Sequence, residues 1–104
     1  MQNIEHLTAA GFPGAVRHGT VMVTFSADWC GHCITQNRII DRMTCEHRFP
    51  DSVRLGRVCI DEAPLIMEKL EIEAIPTTVV FRDGLEVQRC VGIADEIELL
   101  KLLQ

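Results

Sequence analysis

The stretch Thr20-Val21-Met22-Val23-Thr24-Phe25-Ser26 constrains this chain more than any other. It is β-branched and apolar with no clean polar-apolar alternation, the pattern of a strand buried on both faces. A sheet built around such a strand needs cover on two sides, so the rest of the chain must supply helices as well as strand neighbours. With 104 residues, 47% of them apolar, the chain can bury one modest core, and a single domain over 1–104 is expected. The same composition argues against disorder and for a compact globule.

The strand runs into Ala27-Asp28-Trp29-Cys30-Gly31-His32-Cys33. From Gly31 to about Arg48 there is no proline, and Ile34, Ile39, Ile40 and Met43 fall near helical spacing. That predicts a helix beginning inside the Cys-x-x-Cys motif. A second strand is expected over Val53 to Asp61, then a short helix near Pro64 to Leu70 with Pro64 in its first turn. Thr77 to Phe81 and Leu85 to Val91 flank Asp83-Gly84, a two-residue hairpin signal. Asp95 with Glu98 forms a capping-box pattern opening a last helix, whose amphipathic positions are Ile97, Leu100, Lys101 and Leu103. The first twenty residues, with Gly11, Pro13, Gly14 and Gly19, predict a loose opening with at most one short helix around Ala15 to His18. The order is roughly β-α-β-α-β-β-α, which makes the fold class α/β with a mixed sheet covered by helices.

Charge and hydropathy narrow the function classes. A net charge of −5 offers no basic footprint, so no nucleic-acid partner is expected. Apolar runs such as Val79-Val80-Phe81 are far too short to span a bilayer. The opening MQNIEHLTAAGF lacks the basic and apolar regions of a secretory leader, so the expectation is a cytoplasmic protein with no membrane association. Five cysteines are an odd set for a bridged scaffold, and in a reducing compartment a close pair is more often catalytic or metal-binding.

Spacing alone lets Cys30 and Cys33 hold a metal, form a permanent disulfide or pass electrons. Zinc would need further ligands, and the nearest are His32, Cys45 and His47. Cys45 lies twelve residues beyond Cys33, about 18 Å along a helix, too far for one tetrahedral ion, so no metal is expected. Haem attachment fails because Ile34, not histidine, follows Cys33. Electron transfer fits the surroundings: exchange needs a thiolate, and a cysteine at a helix N-terminus meets free N–H groups and the positive end of the dipole. His32 adds a donor at the same place, while Asp28, an anion, acts in the opposite direction. Cys45, Cys59 and Cys90 are expected to serve as small apolar residues, and His6, His18 and His47 as surface residues. The acidic run Glu68 to Glu73 reads as a solvated helix face.

Four landmarks carry a resemblance. They are Trp29-Cys30-Gly31-His32-Cys33 after a hydrophobic strand, Ile75-Pro76-Thr77 before the next-to-last strand, the Asp83-Gly84 hairpin, and Gly92 before the last helix. On these the chain resembles the thioredoxin family over nearly its whole length, with a Gly-His dipeptide similar to that of protein disulfide isomerase domains. The resemblance implies the thioredoxin fold, a central mixed β-sheet of four or five strands flanked by helices on both faces. It implies that Cys30 is the attacking thiol and Cys33 the resolving thiol, that their redox-active disulfide is the only cofactor, and that Pro76 is cis and faces them. An apolar docking rim would map onto Trp29, Gly31, Ile75, Val91, Gly92 and Ile93. Implied partners are client proteins with disulfides and a flavin-dependent thioredoxin reductase; a monomer is assumed.

The chain also departs from that family. Thr24 stands where most relatives carry a buried carboxylate, Arg57 where a lysine is often found beside it, Ile34 where many have lysine, and Arg38 where a kinking proline is usual. Threonine cannot act as the base that a carboxylate would be. Three readings follow: a disulfide reductase, a more oxidising oxidase or isomerase, and a binding adaptor that keeps the fold.

Overall fold

The computed structural model describes residues 2–104. Its elements are β1 (Ile4–His6), α1 (Phe12–Ala15), β2 (Thr20–Ser26), α2 (Gly31–Cys45), β3 (Val53–Cys59), a 3₁₀ turn (Ile60–Glu62), α3 (Pro64–Lys69), β4 (Thr77–Arg82), β5 (Leu85–Val91) and α4 (Glu96–Lys101). The strands form one mixed sheet in the order β1-β3-β2-β4-β5. β3 runs parallel to both β1 and β2, whereas β4 is antiparallel to β2 and to β5.

β2 occupies the centre, and all its residues after Thr20 are buried. Its odd positions Val21, Val23 and Phe25 join Phe12, Val16, Val58, Ala63, Ile72, Val79 and Phe81 in the core under α1 and α3. Its even position Met22 joins Ile40, Met43, Leu55, Val80, Leu99 and Leu102 in a second core under α2 and α4. One strand thus divides two hydrophobic layers, as its unalternating sequence requires.

The hairpin turn and the helix cap of the sequence reading hold in detail. Asp83 and Gly84 both take positive φ, 50° and 87°, which the two-residue hairpin demands and which glycine adopts without strain. Asp95 accepts from the Glu98 N–H at 2.8 Å while the Glu98 carboxylate accepts from the Asp95 N–H, a complete capping box.

Other expectations need correction. The opening is not loose: Ile4–His6 adds an edge strand to β3, and the first helix is Phe12–Ala15, upstream of the expected position. A three-residue edge strand has no periodicity to read, because its partner, about fifty residues away, defines it. α2 stops at Cys45 rather than near Arg48. His47 turns to φ 56°, and the N–H groups of His47 and Arg48 donate back to Thr44 and Met43 at 3.2 and 2.8 Å, a chain reversal normally built on glycine. β3 ends at Cys59 because the chain turns into the 3₁₀ segment. α3 ends at Lys69, so of the acidic run only Glu68 lies on a helix, and Glu71 sits in a turn at φ 56°. α4 buries Leu99 fully and leaves Ile97 at the surface, so its buried face is rotated from the expected one. Cys45 is exposed rather than packed, whereas Cys59 and Cys90 are half-buried.

Candidate active site

The site is built where β2 hands over to α2. Cys30 is the N-cap of α2, with extended backbone at φ −96° and ψ 115°. Its Sγ accepts from the Cys33 N–H at 3.2 Å, taking the place that a Ser or Asp oxygen usually fills. The Cys30 C=O accepts from the Ile34 N–H at 3.1 Å, and its own N–H donates to the Ala27 carbonyl at 3.2 Å. A negative sulfur in this position is held by a backbone donor and by the helix dipole.

The two thiols stand in different surroundings. Cys30 is half-buried and Cys33 is wholly buried. Burial, reinforced by the Cys30 side chain and only partly opposed by the Ala27 backbone, pushes the Cys33 thiol from its ordinary 9.0 up to about 11. His32 and Gly31 are exposed on the first turn, as is Asp28 before the motif.

Sheet register gathers the other expected residues at the same end. Phe25 pairs with Thr77, and Thr77 with Val91, so the residues preceding β4 and following β5 meet the end of β2 that leads into Cys30. The Ile75–Pro76 peptide is cis, and the Pro76 carbonyl accepts from the Gly92 N–H at 2.8 Å. Gly92 has φ 88°, a conformation that suits glycine. Around this clasp lie exposed Val91 and Ile93 and half-buried Ile75. Trp29 is 70% exposed, yet its Nε1–H donates to Asp61 Oδ2 at 2.9 Å, which fixes the ring.

Thr24 is buried on the face of β2 that looks toward α2, opposite Arg57 on one side and Thr78 on the other. Arg57 finds its carboxylate on the helix above, donating from Nη2 to Asp41 Oδ1 at 3.1 Å. The sequence reading paired Thr24 with Arg57 correctly and missed Asp41.

Two further positioning residues escaped that reading. Asp61, which holds Trp29, lies in the 3₁₀ turn at the point where the sequence predicts strand. Gln36 is wholly buried, donates from Nε2 to the Ala94 carbonyl at 3.0 Å and accepts from the Ala94 N–H at 2.6 Å. This doubled bond fastens α2 to the loop carrying Gly92 and Ile93. Its only sequence signal is a glutamine on the apolar face of the helix, one turn after Cys33.

Among the described residues, no three His, Cys, Asp or Glu side chains are gathered as a metal ion would need, and no helix is long and apolar enough to cross a membrane.

Two outcomes follow from these contacts. Gln36→Leu strands the buried Ala94 N–H and C=O, and urea unfolding should show a loss of roughly 2–4 kcal/mol. The Cys33 proton is also linked to stability. Above about pH 9 an unfolded chain has lost it while the folded chain retains it up to about 11. The unfolded state then binds fewer protons, so stability falls as pH rises through this window and is unaffected by this group below it. The reduced protein should lose on the order of 2–3 kcal/mol across the window in urea titrations, relative to Cys33→Ala.

A family model described as Thioredoxin matches residues 3–104. The thioredoxin of Chlamydia caviae is 33% identical over 100 residues, covering 96% of this chain and 95% of that protein. That of Chlamydia pneumoniae is 34% identical with the same coverage. The crystal structure of thioredoxin from Malassezia sympodialis superposes with a TM-score of 0.84 at 25% identity, covering 100% of this chain and 91% of that one.

Proposed function

This chain belongs to the thioredoxin family, and on that premise we propose that it acts mainly as a reductase of protein disulfides through Cys30 and Cys33. The observation that carries the reading is the inequality of the two thiols at one helix end: Cys30 is accessible and receives the Cys33 N–H, while Cys33 is buried and protonated. As a thiolate, Cys30 attacks a client disulfide, forming one S–S bond and releasing one client thiolate. Cys33 then attacks Cys30 Sγ, frees the second client thiolate and leaves the Cys30–Cys33 disulfide. Two electrons have passed to the client, and a flavin-dependent thioredoxin reductase returns them. No prosthetic group is required, and a monomer in a reducing cytoplasm suffices.

The exposed apolar surface at Trp29, Val91 and Ile93, with Gly31 and Ile75 between, suits an extended client segment. Asp61 restrains Trp29 before a client arrives, which lowers the ordering cost of docking. In this reading Pro76 and Gly92 shape the backbone beside the client, His32 stabilises the thiolate, and Thr24 with Arg57 supplies the polar setting behind the pair.

A more oxidising oxidase or isomerase is the second reading, favoured by His32 at the helix end and by threonine at position 24. The redox potential separates the two. A reductase of this type should equilibrate with glutathione between roughly −270 and −180 mV, whereas a value above about −180 mV would favour the oxidase. An adaptor would fail to reduce insulin at all.

The assignment of roles has its own test. Cys33→Ser should accumulate covalent mixed disulfides with clients, and Cys30→Ser should accumulate none, as read by non-reducing electrophoresis and mass spectrometry. Equal trapping by both variants would overturn the assignment.

A further inference from the structure

The sheet face under α1 and α3 is short of cover. Its central strands β2 and β4 have seven and six residues, so they run roughly 20 Å at ~3.3 Å per residue. α1 has four residues and α3 six, which makes them about 6 and 9 Å long at ~1.5 Å per residue. Between them a groove of about 480 Å³ remains. Its floor is Phe12, Val16 and Phe81, all buried, with the Phe12 and Phe81 rings edge-to-face at 5.5 Å. Leu65, Ile66 and Leu70 form the α3 wall, and Leu65 is 77% exposed. Gly84 of the hairpin also lines the groove and stands against the Arg17 backbone.

Both walls are fixed before any ligand arrives. Arg54 Nη2 donates to the His18 carbonyl at 2.9 Å and also to that of Ala15, which holds the end of α1. Asp83 Oδ1 accepts from the Gly19 N–H at 2.8 Å, and the Asp83 N–H donates to the Gly19 carbonyl at 3.0 Å. The hairpin is thereby tied to the turn after α1. Arg89 Nη2 donates to the Leu70 carbonyl at 2.8 Å and anchors the end of α3. A preformed, mostly apolar groove of this volume falls within the roughly 300–1,000 Å³ of small-ligand sites.

The charge around the groove is one-sided. The chain carries 15 acidic and 10 basic residues, yet the charged residues lining the groove are two cations, exposed Arg17 and Lys69. The ion pairs among the described residues engage His6, Arg42, His47, Arg48, Arg57 and Arg89, and leave these two unpaired. Of the neighbouring carboxylates, Asp83 is held by the Gly19 N–H, and Glu68 does not line the groove. An apolar floor with two unpaired cations at its mouth matches a ligand with an apolar body and one anionic head.

We propose that this groove binds an aliphatic carboxylate, a single acyl chain lying against Phe12, Val16 and the α3 wall with its head group at Arg17 and Lys69. The site is separate from the thiols. Phe81 and Arg82 pair with Val21 and Thr20, at the start of β2, whereas Cys30 follows the far end of that strand. α2 moreover covers the opposite face of the sheet. Uptake here does not depend on the thiol–disulfide reading.

Decanoate below its micellar concentration is the probe. In calorimetry with the full reduced chain it should bind saturably, one per chain. Methyl NMR should show shifts at Val16, Leu65, Ile66 and Leu70, and none at Val91 or Ile93 of the client surface. Octanoate should bind roughly fifteenfold more weakly, two methylenes at about fourfold each. Replacing both cations, Arg17→Gln with Lys69→Gln, should weaken decanoate about fivefold and leave decanol unchanged, as loss of exposed charge pairing does. Leu65→Glu is an exposed change in the first turn of α3, where an acid suits the helix dipole, and it should abolish uptake. Shifts confined to Val91 and Ile93, uptake without saturation, or an affinity for decanoate that ignores the loss of both cations would each overturn the proposal. So would association with phosphatidylglycerol vesicles without uptake of free decanoate, which would give the groove to a membrane surface. A concentration-dependent dimer that Leu65→Glu abolishes, again without uptake, would give it to a second copy and overturn the proposal equally.

Discussion

The structure depends on burying β2 on both faces. A central strand with apolar side chains on each side cannot be stable in a two-layer arrangement, so helices must pack above and below it. α1 and α3 cover the odd positions, and α2 and α4 cover the even ones. The same burial fixes register, since a slip of one residue would exchange Val23 and Phe25 for Met22 and Thr24. The end of this rigid strand is where Cys30 begins α2, so the reactive pair is carried by the best-supported element of the chain.

From that anchor the site is assembled by a few bonds between distant segments. The Cys33 N–H on Cys30 Sγ fixes the pair at the helix end. The Gln36–Ala94 clamp and the Gly92–Pro76 bond bring two loops to the same end of the sheet. Asp61 reaches across to Trp29. The Gln36–Ala94 clamp ties its loop directly to α2, so that part of the site inherits order from the core.

The polar row under α2 shows how a substitution is accommodated. Without a carboxylate at position 24, Arg57 has no partner in the sheet and pairs with Asp41 on the helix instead. That leaves Thr24 and Thr78 side by side across the sheet and a buried guanidinium edge beneath α2. A buried network of this kind is costly when half-satisfied and valuable when completed.

The sequence by itself determined the elements whose signals are local. β2 and β5 begin and end where their residues change character, and the Asp83-Gly84 turn and the Asp95 cap follow from backbone chemistry that neighbours cannot easily override. The Cys-x-x-Cys at a strand-to-helix junction was legible for the same reason, because helix onset and thiolate chemistry both act within a few residues. Tertiary structure alone decided the rest. Ile4–His6 becomes a strand only because β3 offers it an edge, and α2 ends at Cys45 because the chain reverses at His47. Gln36, Asp61 and Asp41 acquire their places through partners brought close by the fold. Hydrogen bonds act over about 3 Å, and no local pattern reports which residues a fold will bring within that distance.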